Sequence, residues 1–226
     1  MDQQYHGALD LSGAFGTFAL MDASGQIVAD AARRLRGRES AILAQWVSEL
    51  LAERGLTIRD VKRWSVGSGP GSFTGMRLAS ALVTGWSSYH DDVICRNVPT
   101  ALIPAQQIAA QEGENAGILF DGRNAEMLVY EVVFRDGQWR STGFCAVWDA
   151  SAAETELGAK RFCHLAAFAD DVPALGKLLS PEYLEQIAIC ETPSAVPLLQ
   201  AEEPEFDNDL TQLIYIRPAV FPPKTK

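Results

Sequence analysis

Gly69-Pro70-Gly71-Ser72-Phe73-Thr74-Gly75-Met76-Arg77 stands between a short strand pattern, Trp64-Ser65-Val66, and a stretch of helical period in which Leu78, Leu82, Trp86 and Tyr89 recur on one face. Glycines at a strand-to-helix turn permit positive φ and close backbone approach, and a helix start offers unpaired N–H groups suited to an anion. Three known patterns fail against the letters. A Walker phosphate loop needs four residues between its glycines and then a lysine, whereas Gly69 and Gly75 have five between them and Met76 follows. A nucleophile elbow, Gly-x-Ser-x-Gly, fits neither Ser68 nor Ser72. A dinucleotide fingerprint needs its third glycine where Thr74 stands. The bland reading is a tight connection in which Ser72 or Thr74 caps the helix, a contribution of about 1 kcal/mol.

Outward from this turn the chain alternates strand and helix. Ala8-Leu9-Asp10-Leu11, Phe15 to Met21 and Gln26 to Ala29 read as three strands, with Asp22-Ala23-Ser24-Gly25 as a turn. Residues 41–54 read as a helix with one stripe (Ile42, Leu43, Trp46, Val47, Leu50, Leu51), Ser40 as N-cap and Gly55 as stop. Val93-Ile94-Cys95 is a strand and Thr100 to Gln111 a helix. The opening then recurs: Ile118-Leu119-Phe120-Asp121, Met127 to Phe134 and Trp139 onward repeat the three strands, with Asp121 lying 111 residues after Asp10 and Gly137 112 after Gly25. Repetition at half-chain length implies two similar lobes rather than a solenoid, and the alternation an α/β architecture. Helices are expected near 151–158, 172–179 and 194–200, and a final strand over Leu210 to Ile216, stopped by Pro218. The first lobe is expected to span 1–100, with about 210–226 packing on it, and the second, more divergent lobe 101–209.

Composition limits the functions. The 226 residues carry 19 Lys+Arg against 29 Asp+Glu, a net charge of −10, and 47% are apolar. An acidic chain is a poor solitary nucleic-acid binder, because phosphate neutralisation supplies most non-specific affinity. Arg33-Arg34-Leu35-Arg36-Gly37-Arg38 is a local exception, read either as a solvated strand end or as a contact for an acidic partner or for RNA held mainly by another subunit. The cysteines (95, 145, 163 and 190) form no Cys-x-x-Cys, and His6, His90 and His164 form no paired ligand motif, so no metal or redox site is expected. There is neither a signal-peptide pattern nor an apolar run of membrane-spanning length, which leads to the expectation of a cytoplasmic protein.

As a whole string, Gly-Pro-Gly-Ser-Phe-Thr-Gly-x-Arg resembles the signature of the TsaB (YeaZ) family, which serves the synthesis of N6-threonylcarbamoyladenosine on tRNA. Leu9-Asp10-Leu11-Ser12 looks like that family's opening Ile-Asp-Thr-Ser, with Leu11 in place of Thr. Asp121-Gly122-Arg123-Asn124-Ala125-Glu126, followed by Val129-Tyr130, is similar to its Asp-Ala-Arg-x-x-Glu-Val-Tyr, and Tyr215-Ile216-Arg217-Pro218 to its closing Tyr-Leu-Arg. Where the family commonly has His-Ser-Glu at its first helix, this chain has Arg38-Glu39-Ser40.

The resemblance implies an actin-like (ASKHA) fold: duplicated ribonuclease-H-like lobes, with mixed sheets flanked by helices. It also implies a non-catalytic subunit that binds a TsaD-type catalytic partner, joined by a TsaE-type ATPase, with a homodimer as another arrangement, tRNA touched only indirectly or weakly, and no cofactor of its own. The residues expected to meet the partner are Ser72, Phe73, Thr74 and Arg77 at the turn, with Trp46 and Trp86 as aromatic anchors; core packing is the competing role for the tryptophans. Asp10, Gly71 and Asp121 mark a vestigial nucleotide site, or the acids are simply turn formers at strand ends. The alternative function is a nucleotide-dependent phosphotransferase or hydrolase of the same fold. A peptidase, as older names for the wider family suggest, lacks a nucleophile or metal motif.

Overall fold

In the computed structural model, which describes residues 4–35, 40–88 and 92–216, two five-stranded sheets carry the fold. The first is built from β1 (Tyr5–Asp10), β2 (Phe15–Met21), β3 (Ile27–Arg34), β4 (Val61–Gly67) and β5 (Ile94–Val98), in the order β3-β2-β1-β4-β5. Its first three strands form an antiparallel meander, and β4 and β5 add in parallel. The second is built from β6 (Asn115–Asp121), β7 (Met127–Arg135), β8 (Gln138–Trp148), β9 (His164–Phe168) and β10 (Ile187–Cys190), in the order β10-β9-β6-β7-β8. Again the first three strands are an antiparallel meander and the last two are parallel additions. Asp10 ends the first strand of one sheet and Asp121 the first strand of the other. The half-chain repeat read from spacing is therefore a repeat of topology.

Alternation along the buried strands sends neighbouring side chains into different layers. In β1, Ala8 faces a cluster lying between the sheets, while Leu9 faces outward into a second cluster. That outer cluster includes Leu43, Val47 and Leu51 of α1 (Ser40–Ala52) and Ala79 and Val83 of α2 (Phe73–Ser87), packed against Phe18, Trp64 and Val66. On the far side of the second sheet, Ala153 and Leu157 of α4 (Ala150–Gly158) and Leu175 of α5 (Val172–Leu175) cover Leu119, Val129 and Leu165, beside the short α6 (Pro181–Glu185). Between the sheets lie two short helices, α3 (Leu102–Ala105) and α7 (Val196–Gln200). Their Leu102, Ile103, Leu198 and Leu199 share one core with Ala8 and Ala19 of the first sheet and Ile118, Phe120 and Ala166 of the second. The layers run helix, sheet, helix, sheet, helix, and two mixed sheets flanked by helices are the actin-like arrangement expected.

Two expectations fail, and two strands lie outside the sequence reading. The helix expected over 100–111 is a single turn, because Pro104 must occupy a first-turn position and the fully buried residues of the stretch fall within Thr100–Ala105. No strand covers Leu210 to Ile216. Asp207 and Asp209 side chains accept backbone N–H groups two residues on, at 3.0 and 2.9 Å, and Asn208 has a φ of 62°, so local turns replace a ladder. Strands β9 and β10 escape the sequence pattern because Leu165-Ala166-Ala167 is buried on both faces and alanine-rich, showing no alternation. Arg36 to Glu39, Tyr89, His90 and Arg217-Pro218 lie outside the described residues.

Candidate functional site

Strand β4 ends at Gly67, and the next five residues turn the chain into α2 against the loop that follows Asp10. Gly69 has a φ of +97°, open to glycine at little cost, and a Cβ there would also strike the Met76 sulfur. A Cβ on Gly75 would run into the Leu11 carbonyl, and one on Gly67 into the Asp10 carboxylate, both far inside contact distance. The glycines therefore let the turn lie directly on the β1 end. Backbone bonds hold it there: Ser72 N–H donates to the Ser12 carbonyl at 2.6 Å, Ser68 N–H to Val98 at 2.9 Å and Thr100 N–H to Gly69 at 2.8 Å. Ser72 is the N-cap of α2, its Oγ accepting from Gly75 N–H at 3.3 Å; of the two capping residues suggested by the sequence it is the one used.

Asp10 lies beneath this turn at 3% exposure. Its Oδ1 accepts from the Ser12 N–H and hydroxyl, both at 2.7 Å, and its Oδ2 from the Thr100 hydroxyl, which itself accepts from Gly69 N–H at 3.0 Å. Burial raises the Asp10 pKa, opposed by the hydrogen bonds from Thr100 and Ser12. The carboxylate is thus a buried tie between β1, the glycine turn and the β5 end, and Gly71 joins it by lying against the Ser12 carbonyl. Asp121 differs. It is exposed, and its Oδ1 accepts Arg123 N–H at 2.7 Å, an Asx turn that starts a run of positive φ through Arg123, Asn124 and Ala125. Asp171 near it is raised to about 6, first by burial. Arg34 of β3 crosses between the lobes to pair with Asp170 at the surface, so part of the arginine run is engaged by the chain itself. Among the described residues no group of three or more His, Cys, Asp or Glu is disposed to hold a metal.

Above the turn the surface is aromatic and cationic. Phe73 is 36% and Tyr215 41% exposed, and their ring centroids are 5.1 Å apart. The Arg77 guanidinium lies 3.8 Å over the Phe73 ring, and its Nε donates to the Tyr215 hydroxyl at 3.3 Å. Exposed Thr74 flanks this patch. Beyond it, the outward face of α2 continues through Ala81, Thr84, Gly85 and Ser88, and Arg77 is the one charge in the helix. Surface helices normally carry charged residues on their solvent face. Trp86 is half-buried, its ring 5.1 Å from that of Trp64, and Trp46 packs against the same core. The structure places both tryptophans mainly in their own lobe. Tyr215, Ser12 and Thr100 join the site only in the structure. Tyr215 carried a signal in the closing Tyr-Ile-Arg-Pro, whereas Thr100 lies 90 residues from Asp10, beyond any local pattern.

A family model described as TsaD: tRNA N6-adenosine threonylcarbamoyltransferase matches residues 34–148, just over half of the chain. Two solved structures from Pseudomonas aeruginosa share the fold. YeaZ aligns with a TM-score of 0.63 at 23% identity, covering 87% of this chain and 89% of its own. A protein with similarity to peptidase YEAZ aligns with a TM-score of 0.67 at 23% identity, covering 96% of this chain and 100% of its own. No curated protein matches the sequence.

Proposed function

The chain belongs to the TsaD family, that of tRNA N6-adenosine threonylcarbamoyltransferase, and from that premise we propose that it is a non-catalytic scaffold subunit for tRNA N6-threonylcarbamoyladenosine formation, docking a TsaD-type catalytic partner on the outward face of α2. The observation that carries this reading is the nearly uncharged face running from Phe73 and Arg77 through Ala81 to Gly85. Small residues allow a partner helix to approach closely, while Phe73 and Arg77 at one end belong to the residue types that dominate docking energetics. The partly exposed side of α1, including Ile42 at 41% exposure, extends the surface. A TsaE-type ATPase joins the assembly, and a second copy of this chain competes for the same face.

A scaffold role is further supported by the surroundings of Asp10. Both oxygens of Asp10 are taken by Ser12 and Thr100, leaving that carboxylate turned inward rather than toward a metal–nucleotide. The lobes also share a continuous apolar core through α3 and α7, which resists the hinge motion that a closing kinase cleft uses. Among the described residues no helix is long and apolar enough to cross a membrane, in keeping with action in the cytoplasm.

Gly85→Gln tests the reading cleanly. A Cβ there meets nothing within 4 Å outside its own helix and the position is exposed, so the fold is expected to be kept and only the docking face filled. Calorimetric binding to the TsaD-type subunit of the same organism is expected to weaken at least tenfold, and tRNA modification by the reconstituted set to fall with it. Undiminished binding would overturn the assignment. Micromolar magnesium-ATP affinity of the isolated chain, lost in Asp10→Asn, would favour the phosphotransferase or hydrolase instead.

A further inference from the structure

Strand β5 is an edge of the first sheet, and residues 201–216 run along it as an irregular strap. At the start of the strap is a buried cation. Arg96 of β5 is 3% exposed, and all five of its N–H donors are used without a carboxylate. Nε donates to Ser65 Oγ at 2.9 Å. Nη1 donates to the carbonyls of Pro204 at 3.0 Å and Glu202 at 3.4 Å. Nη2 donates to those of Ala201 at 2.6 Å and Leu198 at 3.3 Å. The Phe206 ring lies between two guanidinium groups, with Arg96 and Arg63 each 4.5 Å from its centroid, and His6 meets it edge-on at 5.5 Å. Burial, with Arg63 second, lowers the Arg96 pKa to about 10, so it remains charged at neutral pH.

A buried charge is costly unless its hydrogen bonds are complete. Here completeness is supplied by four carbonyls from one stretch, residues 198–204, so the cation can be satisfied only when that stretch is in place. From there the strap is tied along β5. Asn208 N–H donates to the Cys95 carbonyl at 3.0 Å and its Oδ1 accepts Cys95 N–H at 2.7 Å. Asn97 Nδ2 donates to the carbonyls of Asp209 and Gln212 at 3.2 and 3.1 Å. Leu210 is buried in the outer core, and Ile214 N–H donates to the Ser68 carbonyl of the glycine turn at 2.8 Å. The next residue is Tyr215, stacked beside Phe73 and hydrogen-bonded to Arg77.

We propose that Arg96 is a positioning residue for partner docking: it anchors the strap that delivers Tyr215 to Phe73 and Arg77, making the docking patch a composite of the α2 start and the strap end. The inference rests on the docking reading above for its partner, the TsaD-type subunit, but its first readout does not. In Arg96→Met, amide hydrogen exchange at Asn208 and Ile214 is expected to accelerate at least tenfold while the amides of β6 and β7 keep their protection. The aromatic NMR signals of Phe73 and Tyr215 shift toward those of separated rings, and partner affinity falls at least tenfold. Arg96→Lys, which keeps the charge with fewer donors, restores part of each effect. Tyr215→Ala serves where Arg96→Met fails to fold, and should weaken the partner similarly with Asn208 still protected. Unchanged exchange at Asn208 and Ile214 in Arg96→Met, or unchanged partner affinity in Tyr215→Ala, overturns the proposal. Failure of Gly85→Gln to weaken binding sinks the docking reading and leaves the exchange result to judge the anchor by itself.

Discussion

The two lobes run the same strand order and put an acid at the same strand end, yet they use it in opposite ways. In the first lobe Asp10 is sealed under the glycine turn and tied to Ser12 and Thr100; in the second, Asp121 is exposed and shapes its own Asx turn. The first lobe covers its outer side with helices of 13 and 15 residues, and the second with helices of nine, four and five. The β5 edge is covered by the strap, while β10 ends its sheet as a four-residue strand. Duplication supplied one topology; what differs is where each half spends its glycines and its long helices. The half with the close-packed turn is the one that presents a nearly uncharged helix face at the surface.

The contrast breaks most visibly at two helical glycines. Gly75→Ala drives a methyl into the Leu11 carbonyl, so chemical denaturation should show a loss at or beyond the ~1–3 kcal/mol typical of overpacking, with the turn displaced. Gly158→Ala in α4 meets only the Tyr183 hydroxyl at 3.6 Å and should leave stability unchanged or slightly raised. Equal costs would mean that the turn does not depend on its backbone approach.

The acids come next. Asp10→Ala strips an acceptor from the Ser12 N–H and hydroxyl and from Thr100, and is expected to cost roughly 2–3 kcal/mol, buried donors being left unpaired. Asp121→Ala removes a turn bond at the surface, and about 0.5–1 kcal/mol is expected in the same urea titration. A larger loss at Asp121 would reverse the comparison.

The last contrast is in pH dependence. In the first lobe His6 is lowered from 6.5 to about 3, chiefly by burial and then by Arg96 and Arg63. The unfolded chain binds that proton first, so stability falls as pH drops from about 6.5 toward 3. In the second lobe Asp171 is raised from 3.8 to about 6, chiefly by burial, with Asp121 and Asp170 adding to it. The folded chain keeps a proton that the unfolded one has released, so stability rises as pH drops from about 6 to about 4. The two oppose each other. Melting curves across this range should show a flatter acid limb than wild type in His6→Asn and a steeper one in Asp171→Asn, each differing by roughly 1–2 kcal/mol. Parallel limbs in all three proteins would show that neither group titrates as placed.

Local chemistry determined much of this molecule in advance. The meander strands, the stripe of α1, the cap at Ser72 and the spacing between Asp10 and Asp121 follow from periodicity and turn residues, which act over a few positions and are legible in the letters. The glycine string marked the turn for the same reason, since backbone approach leaves a residue-type requirement at each place. Only the tertiary structure decided which acid is sealed and which is exposed, because Thr100 reaches Asp10 across 90 residues. It alone set Trp46 and Trp86 half-buried against the outer core, and it alone turned the expected last strand into a strap. Arg96 carries no sequence signal, since its acceptors are backbone carbonyls that any residue supplies. Side-chain periodicity records which way a segment faces; it holds no record of which distant backbone will come to rest against it.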